Sequence, residues 1–280
     1  YYNKTANLLA IARQFMLKRT KAEVGLELPE CREEIVQTSW QNPAELDLAE
    51  DIHSLLQFSG SQKSLANNKM RHMQPDANAH LALLVRARQT CVYPPLLEKA
   101  VDRMIEDGLV EDTPTLRQAL RCTSKIDTVV ASILARKDNQ RGKLVFCHYR
   151  GEIDVLKEGL SRQGMHVETF DGRIPTAARN EILTKKCDVL ILQIKTGCEG
   201  LNLQHFSEVY FVSPHWNPAV EDQAVARCHR IGQESEIDVF RFYAEGGDGI
   251  NGKKFRTLDE YSADVQTNKR TIMREIDPQD

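Results

Sequence analysis

Two arginines in the last third of the sequence offer the clearest chemistry. Arg227 and Arg230 stand three positions apart in a segment, Ala219–Arg230, whose pattern predicts a helix, and Gln223 precedes Arg227 by four positions. Residues three or four apart share one face of a helix, so we expect these side chains to lie together. A guanidinium stays charged and offers a planar fork of donors that suits a phosphate. Most such pairs are only solvated surface charges, so the surrounding sequence must decide.

A turn with two glycines precedes the arginines. The apolar run Val189–Ile194 predicts a buried strand, and Lys195–Gly197 follow it as a turn. Gly197 and Gly200 let the backbone approach a ligand because they have no Cβ in the way. In a parallel sheet, ligands bind beyond the carboxyl ends of the strands, which is where we expect this turn.

Strands and helices alternate around these residues. The patterns predict a helix Lys125–Lys137 capped by Ser124, a strand Lys143–His148, a helix Glu152–Gln163, a strand His166–Phe170, a helix opening at Arg179, and strands at Glu208–Val212 and 237–245. Such an order predicts an α/β fold with a parallel sheet flanked by helices.

The two ends of the chain are predicted to be mainly helical. Apolar spacing predicts helices at Asn7–Met16, Asn42–Phe58 and His80–Cys91, and an amphipathic helix from Thr257 onward. Residues 33–39 alternate like a strand. Residues 59–79 carry Gly, Ser, Asn and Pro and predict a loop or insertion.

The segment 187–233 resembles motifs V and VI of the Snf2 family of superfamily 2 helicase-like ATPases. GCEGLNL resembles the family's GGxGLNL, and HWNPAVEDQAVARCHRIGQ resembles WNPxxxxQAxxRxHRIGQ almost letter for letter. LALLVRARQTCVYPPLL resembles LRQxCxHPxL, with Tyr93 in place of the usual His. KLVFCH resembles motif IV, from which Cys147 and His148 depart. Within the family, the chain is most similar to the Rad5-like and HLTF-like branch.

This resemblance implies roles for individual residues. Arg227 and Arg230 would be arginine fingers that reach the γ-phosphate of ATP, and Gln223 would act beside them. The residues implied to bind the nucleotide are Arg227, Arg230, Gly232 and Gln233. Those implied to contact DNA are Thr196, Gly197, Gly200, Asn202 and Trp216. For Trp216, a place in the protein core is an equal alternative, because large aromatic side chains are usually mostly buried.

The resemblance also implies a domain plan and partners. Residues 1–40 would end a first lobe, 41–122 would form a helical protrusion or linker, 123–246 a RecA-like helicase C-terminal lobe, and 247–280 a C-terminal bracing helix. The partners would be double-stranded DNA and an N-terminal RecA-like lobe of the same protein. That first lobe would hold most of the ATP and Mg²⁺, because this sequence has neither a GxxxxGK[ST] loop nor a DExH box. The chain alone would then be inactive, as a fragment of a longer ATPase.

Composition limits the remaining choices. Hydrophobic residues make up 41% and the net charge is −3, which argues against a protein that is basic throughout, although a local basic stripe suffices for DNA. No apolar run is long enough to predict a membrane span. Seven cysteines without a C-x-x-C pair argue against a zinc site or disulfide framework, and no RING finger is expected. A reducing compartment fits best: the nucleus, or the cytosol or a viral factory if the protein is viral.

Two alternatives stay open. The chain could be a stand-alone DNA-binding or regulatory module that keeps the fold without catalysis. It could also be the second lobe of another superfamily 2 helicase, although WNP and HRIGQ argue against the DEAD/DEAH type.

Overall fold

The computed structural model describes residues 27–56, 77–197, 201–247 and 254–276, besides the single positions Ile11 and Gly25. Six strands lie within these residues: β1 (Cys31–Thr38), β2 (Gly142–Cys147), β3 (Val167–Phe170), β4 (Val189–Gln193), β5 (Phe206–Phe211) and β6 (Ile237–Ala244). They form one sheet in the order β1-β6-β5-β2-β4-β3, and all the pairings are parallel. The predicted α/β fold with a parallel sheet is therefore confirmed.

Helices surround this sheet. The described residues include α1 (Pro43–Ser54), α2 (Ala77–Val92), α3 (Glu98–Glu106), α4 (Pro114–Ala119), α5 (Ser124–Leu134), α6 (Arg150–Arg162), α7 (Thr176–Thr184), α8 (Pro218–Val225) and α9 (Leu258–Ile276). Short 3₁₀ segments lie at Pro94–Leu97 and Lys137–Asn139, and Ile194–Gly197 forms a single helical turn after β4. The predictions for residues 7–16 and for most of 59–79 fall outside the described residues.

The central strands are buried on both faces. Along β2, Val145 and Phe146 point to opposite sides, because side chains alternate along a strand. Val145 joins an apolar cluster with helices α5 and α6, whereas Phe146 joins a second cluster that includes Val225 of α8. Such two-sided burial explains why these strands read as continuous apolar runs.

Strand β1 is an edge strand of this same sheet. It pairs with β6 along its whole length, from Cys31 opposite Ile237 to Thr38 opposite Ala244. Beyond it, the indole Nε1 of Trp40 donates to the carbonyl of Glu245 at 2.6 Å. The predicted domain boundary at residue 40 therefore separates β1 from the sheet to which it belongs. In this structure residues 31–38 are part of the same sheet as the later strands.

The start of α5 differs from its prediction. Ser124 is the first residue of the helix and not its cap, and the residue before it, Thr123, makes no capping bond with its side chain. The Ser124 hydroxyl instead donates to the buried carboxylate of Glu45 in α1 and accepts from the backbone of Gln41 at 3.0 Å. Tertiary contact has thus replaced the local capping bond.

Helix α9 is fixed to the end of β6. The Lys125 ammonium of α5 forms a buried ion pair with Asp259 and donates to the carbonyl of Phe242 at 3.1 Å. Thr257, just before α9, donates through Oγ1 to the carbonyl of Ala244 at 2.7 Å. Elements from the middle and the end of the chain therefore meet beside β6.

Candidate functional site

The predicted site residues form two groups, and these groups lie at opposite ends of the sheet. β4 ends at Gln193, and the helical turn Ile194–Gly197 continues from its carboxyl end. The segment with the two arginines lies near the amino end of β5, because Leu203 donates to the carbonyl of Arg227 at 3.0 Å just before that strand begins. The turn implied to meet DNA and the residues implied to meet ATP are therefore separate groups.

Helix α8 is shorter than predicted. Asn217 caps its start, accepting from the backbone of Ala219 at 3.2 Å, but the helix ends at Val225 instead of Arg230. Arg227 and Arg230 consequently lie in the turns after the helix, and sharing one helical face does not bring them together. The helix closes with tighter bonds from Arg227 to the carbonyl of Ala224 and from Cys228 to that of Val225, and the carbonyls of Arg227 and Cys228 then bind the backbone of Leu203 and the side chain of Gln233.

The two arginines differ in exposure. Arg230 is exposed, Arg227 is half-buried, and Gln223 is exposed on α8. Between the arginines, Cys228 is fully buried in the core, and the Nε2 of His229 donates to the carbonyl of Pro29 at 2.9 Å. Among the described residues, no group of three His, Cys, Asp or Glu is arranged to hold a metal ion.

Gln233 holds the turn together. Its buried amide donates to the carbonyls of Gln204 at 2.8 Å and Phe206 at 3.0 Å, and its Oε1 accepts from the backbone of Ser235 at 2.9 Å. Those bonds occupy the groups with which it would bind a nucleotide. In this structure Gln233 shapes the turn, and its expected contact with a nucleotide stays a prediction.

Gly232 has a structural reason to be glycine. Its φ of 92° lies in the left-handed region, and a Cβ there would come within 3.0 Å of the Gln204 side chain. The exposed Arg230 is thus carried by a turn whose shape depends on Gly232 and Gln233.

The residues implied to contact DNA are only partly described. Thr196 and Gly197 lie in the helical turn at the carboxyl end of β4, and Asn202 is exposed before β5. Gly200 falls outside the described residues. The neighbouring Lys195 is exposed and adds a positive charge at this end of the sheet. The location of the turn agrees with its prediction, while the contacts themselves stay a prediction.

Trp216 packs mainly inside the protein. The half-buried indole joins an apolar cluster with Ala87 and Cys91 of α2 and Leu258 of α9. Tyr261 approaches it edge-on, with ring centroids 6.4 Å apart. Trp216 thus has a packing role at the edge of this cluster, and its contact with DNA stays a prediction.

His148, which departs from the motif IV pattern, joins several loops. Its ring stacks on His215 with centroids 5.8 Å apart, its carbonyl accepts from Gln193 at 3.2 Å, and its backbone donates to Glu152 at 2.9 Å. Burial lowers the pKa of His148 well below its ordinary value, and the positive charge of Arg88 adds to this. Burial also lowers the pKa of His215. A stacked pair of neutral imidazoles suits packing rather than proton transfer.

Sequence reasoning missed Glu221, which anchors the start of α8. The fully buried carboxylate accepts from the backbone of His215 at 2.7 Å, from Gln266 of α9 at 2.7 Å and from Arg241 of β6 at 2.9 Å. Charged residues are almost never fully buried unless they are paired. The signal for this partnership is weak in the sequence, because its three partners are far apart along the chain.

Comparisons with known proteins agree with this architecture. Residues 124–232 match the helicase conserved C-terminal domain. The chain is 30% identical over 168 residues to DNA repair protein RAD5B of Arabidopsis thaliana and 31% identical over 168 residues to DNA repair protein RAD5 of Saccharomyces cerevisiae. These matches cover 58% and 55% of this chain but only 12% and 14% of the relatives, so the chain spans a small part of their length.

One relative and one solved structure match almost the whole chain. The probable global transactivator of Orgyia pseudotsugata multicapsid polyhedrosis virus is 27% identical over 281 residues, which cover 98% of this chain and 52% of that protein. The crystal structure of the C-terminal part of the Fun30 ATPase domain aligns with a TM-score of 0.58 at 15% identity, over 88% of this chain and 99% of that one. Within the described residues, no helix is long and apolar enough to cross a membrane. Residues 124–232 therefore match a helicase conserved C-terminal domain, and the chain as a whole is similar to proteins of the Snf2 type.

Proposed function

We propose that this chain is the second lobe of a DNA-dependent ATPase that moves along double-stranded DNA. The observation that carries the proposal is the turn after α8, where Arg230 is exposed and has no partner among the described residues. Gln233 and Gly232 fix the shape of that turn. An exposed guanidinium on a rigid turn suits a phosphate brought by another lobe.

The proposed chemistry is electrostatic. Phosphoryl transfer places charge on the transferred group, and preformed positive donors lower its energy in the transition state. Arg227 and Arg230 would supply these donors, and Gln223 would link the nucleotide to closure of the two lobes. The donor set of this lobe fits the phosphates of ATP. A first lobe, outside these residues, would hold Mg²⁺ and most of the ATP.

The opposite end of the sheet would contact DNA. The backbone amides of the turn Ile194–Gly197, the exposed Asn202 and the exposed Lys195 offer donors and a positive charge to phosphates. Contacts to phosphates carry no sequence information, so recognition would be independent of sequence. Two relatives are named as DNA repair proteins and one as a viral transactivator. These names support a protein that acts on DNA, in the nucleus or, if it is viral, in a viral factory.

ATP hydrolysis by this chain, measured with and without a first lobe, tests the proposal. The chain alone should hydrolyse no ATP, whereas the two lobes together should hydrolyse ATP faster when duplex DNA is added. Turnover by the chain alone would contradict the two-lobe proposal. DNA binding without any turnover in the two-lobe protein would favour a binding or regulatory module instead.

A further inference from the structure

Trp216 lies at the junction of three elements, directly before the cap of α8. On one face, the guanidinium carbon of Arg88 in α2 lies 4.7 Å from the centre of the indole. From α9, Tyr261 meets the ring edge-on and the ammonium of Lys269 donates to the carbonyl of Trp216 at 2.8 Å. The indole is therefore held between the N-terminal helices and the C-terminal helix.

Arg88 is an unusual buried cation. Its side chain is 9% exposed, and among the described residues no carboxylate forms an ion pair with it and its Nη2 atom has no hydrogen-bond partner. Burial lowers the pKa of Arg88, which shows the cost of placing this charge away from water. The face of a tryptophan is the best aromatic partner for such a cation. The contact with Trp216 is thus a direct packing interaction of this guanidinium, beside the more distant charges of Asp259 and Glu152.

Helix α8 connects this contact to the proposed arginine fingers. Asn217, next to Trp216, caps the start of α8, and the turn with Arg227 and Arg230 follows its end. The helix has eight residues, a length of about 12 Å, so a shift at its start moves its end as well. The position of Trp216 therefore helps to set where the two arginines stand.

We propose that Arg88 is a positioning residue that, through Trp216, joins α2 to α8 and sets the place of the turn with Arg227 and Arg230. This proposal rests on the proposed function for its effect on turnover. The contact itself can be measured without any ATPase activity.

Tryptophan fluorescence tests the contact in this chain. A Trp40→Phe background leaves Trp216 as the single tryptophan, since the sequence has two. We expect Arg88→Met to shift the emission of Trp216 to longer wavelength and to raise its quenching by acrylamide. Arg86→Met is the matched control, because Arg86 lies on another face of α2 and bonds the Gln89 side chain at 3.0 Å. Unchanged emission in a folded Arg88→Met variant, or the same change in both variants, would overturn the proposal.

Steady-state kinetics of the two-lobe protein test the effect. We expect Arg88→Met to lower kcat about 10- to 100-fold, as small misplacements of catalytic groups do, with the affinities for ATP and DNA nearly unchanged. Arg88→Lys should recover part of kcat, because it keeps the cation, and Arg86→Met should leave kcat unchanged. A changed emission with an unchanged kcat would show a packing contact only and would overturn the positioning role.

The two measurements distinguish a failure of the proposed function from a failure of the proposed contact between Arg88 and Trp216. A two-lobe wild type without DNA-stimulated turnover contradicts the proposed function, while the fluorescence comparison still decides the contact. If Arg88→Met does not fold, Arg88→Lys takes its place in both measurements. In that variant, a shifted emission with a kcat below wild type supports the proposal, and wild-type values of both contradict it.

Discussion

Arg230 and Gln233 stand in one turn, yet their polar groups are used in different ways. Gln233 is buried and its amide bonds backbone groups on both sides of the turn. Arg230 is exposed and has no partner among the described residues. A side chain with satisfied polar groups stabilises the fold, whereas an unpartnered cation on a fixed turn is available to a ligand.

Replacement of the arginines tests their proposed role. In the two-lobe protein, Arg230→Ala or Arg227→Ala should lower DNA-stimulated ATP turnover by about 10³- to 10⁵-fold, the range found for arginine fingers. Lysine at either position should recover little, because it lacks the planar fork. Turnover, melting temperature and DNA affinity are measured on each variant.

Arg162→Ala is the control for that experiment, since Arg162 is highly exposed and its ion pair within the described part of the chain is with Glu158 on the surface. It should leave turnover unchanged. Near-normal turnover in both finger variants would instead identify Arg227 and Arg230 as surface charges.

Gln233→Ala should destabilise the protein. It removes bonds to at least three backbone groups and leaves buried carbonyls unsatisfied, at a cost of about 1–3 kcal/mol in the free energy of unfolding. Gln223→Ala provides the comparison, because Gln223 is exposed and should keep wild-type stability. Chemical denaturation of the two variants checks this, and equal stability would contradict the structural role of Gln233.

The sequence indicates which residues matter better than it indicates how they are held. The letters of motif VI identify Arg227 and Arg230, and the structure leaves Arg230 exposed. The same letters predict a helix through Arg230, which is wrong: the helix ends at Val225, and the following turns are held by bonds from Leu203 and Gln233 to the carbonyls of Arg227 and Cys228. Contacts between distant segments leave no local periodicity, so a pattern cannot reveal them.

At the scale of elements, α8 is held at its start by a buried charge pair. Glu221 is fully buried, Arg241 is 6% exposed, and their side chains meet at 2.9 Å. The next residue, Asp222, pairs with Arg270 on the surface at 2.8 Å. Of these two adjacent carboxylates, that of Glu221 is therefore buried and that of Asp222 is exposed to water.

That contrast gives a paired prediction. Glu221→Ala should lower the free energy of unfolding by about 3–5 kcal/mol, because it removes the buried partner of Arg241, which keeps only the exposed Glu33 among the described residues, and the acceptor of the His215 backbone and the Gln266 amide. Asp222→Ala should change it by about 0–1 kcal/mol, because water already solvates that pair. Urea denaturation of both variants measures the difference, and similar losses would show that burial does not separate them.

The contact between α1 and α5 should respond to pH. Burial raises the pKa of Glu45 to about 7 from its ordinary 4.5, although the Ser124 hydroxyl opposes this. The folded state thus binds a proton more tightly than the unfolded state, so this group adds stability as the pH falls from about 7 toward 4.5. A pKa change of this size corresponds to about 3 kcal/mol.

Glu45→Gln should remove that dependence. The variant should be more stable than wild type at pH 8, and the difference should shrink toward pH 5, because the amide stays neutral throughout. Asp47→Asn on the same helix is the control. Melting temperatures of the three proteins between pH 5 and pH 8 check this, and a constant difference between wild type and Glu45→Gln would rule the titration out.

The alternating pattern predicts the elements of the sheet because the strands are short apolar runs with helices between them. Each of the strands from β2 to β6 lies within a few residues of its predicted range. The pattern also predicts a strand at residues 33–39, close to β1, but it does not predict the place of β1 in the sheet, because its partner β6 lies far away along the chain. Strand order depends on such long-range pairing, which local patterns do not encode.

At the scale of the whole molecule, DNA binding should be electrostatic. The chain has a net charge of −3, so any binding must come from a local positive surface such as the end of the sheet with Lys195. Affinity for duplex DNA should fall steeply as salt rises and should not depend on sequence. Titrations of two unrelated duplexes at several salt concentrations measure both, and a salt-independent affinity would contradict phosphate contacts.

The pairing of β1 with β6 also affects how the protein forms during synthesis. The ribosome makes β1 before β2, β3, β4 and β5, whereas its partner β6 is made after all of them. Until then, β1 is an unpaired strand, and unpaired edges promote aggregation. This strand carries three charged residues, Arg32, Glu33 and Glu34. Their charges oppose association with other chains before β6 is made. A nascent chain stopped before Ile237 should therefore hold the central sheet without β1, and synthesis of Ile237–Ala244 should allow β1 to join it.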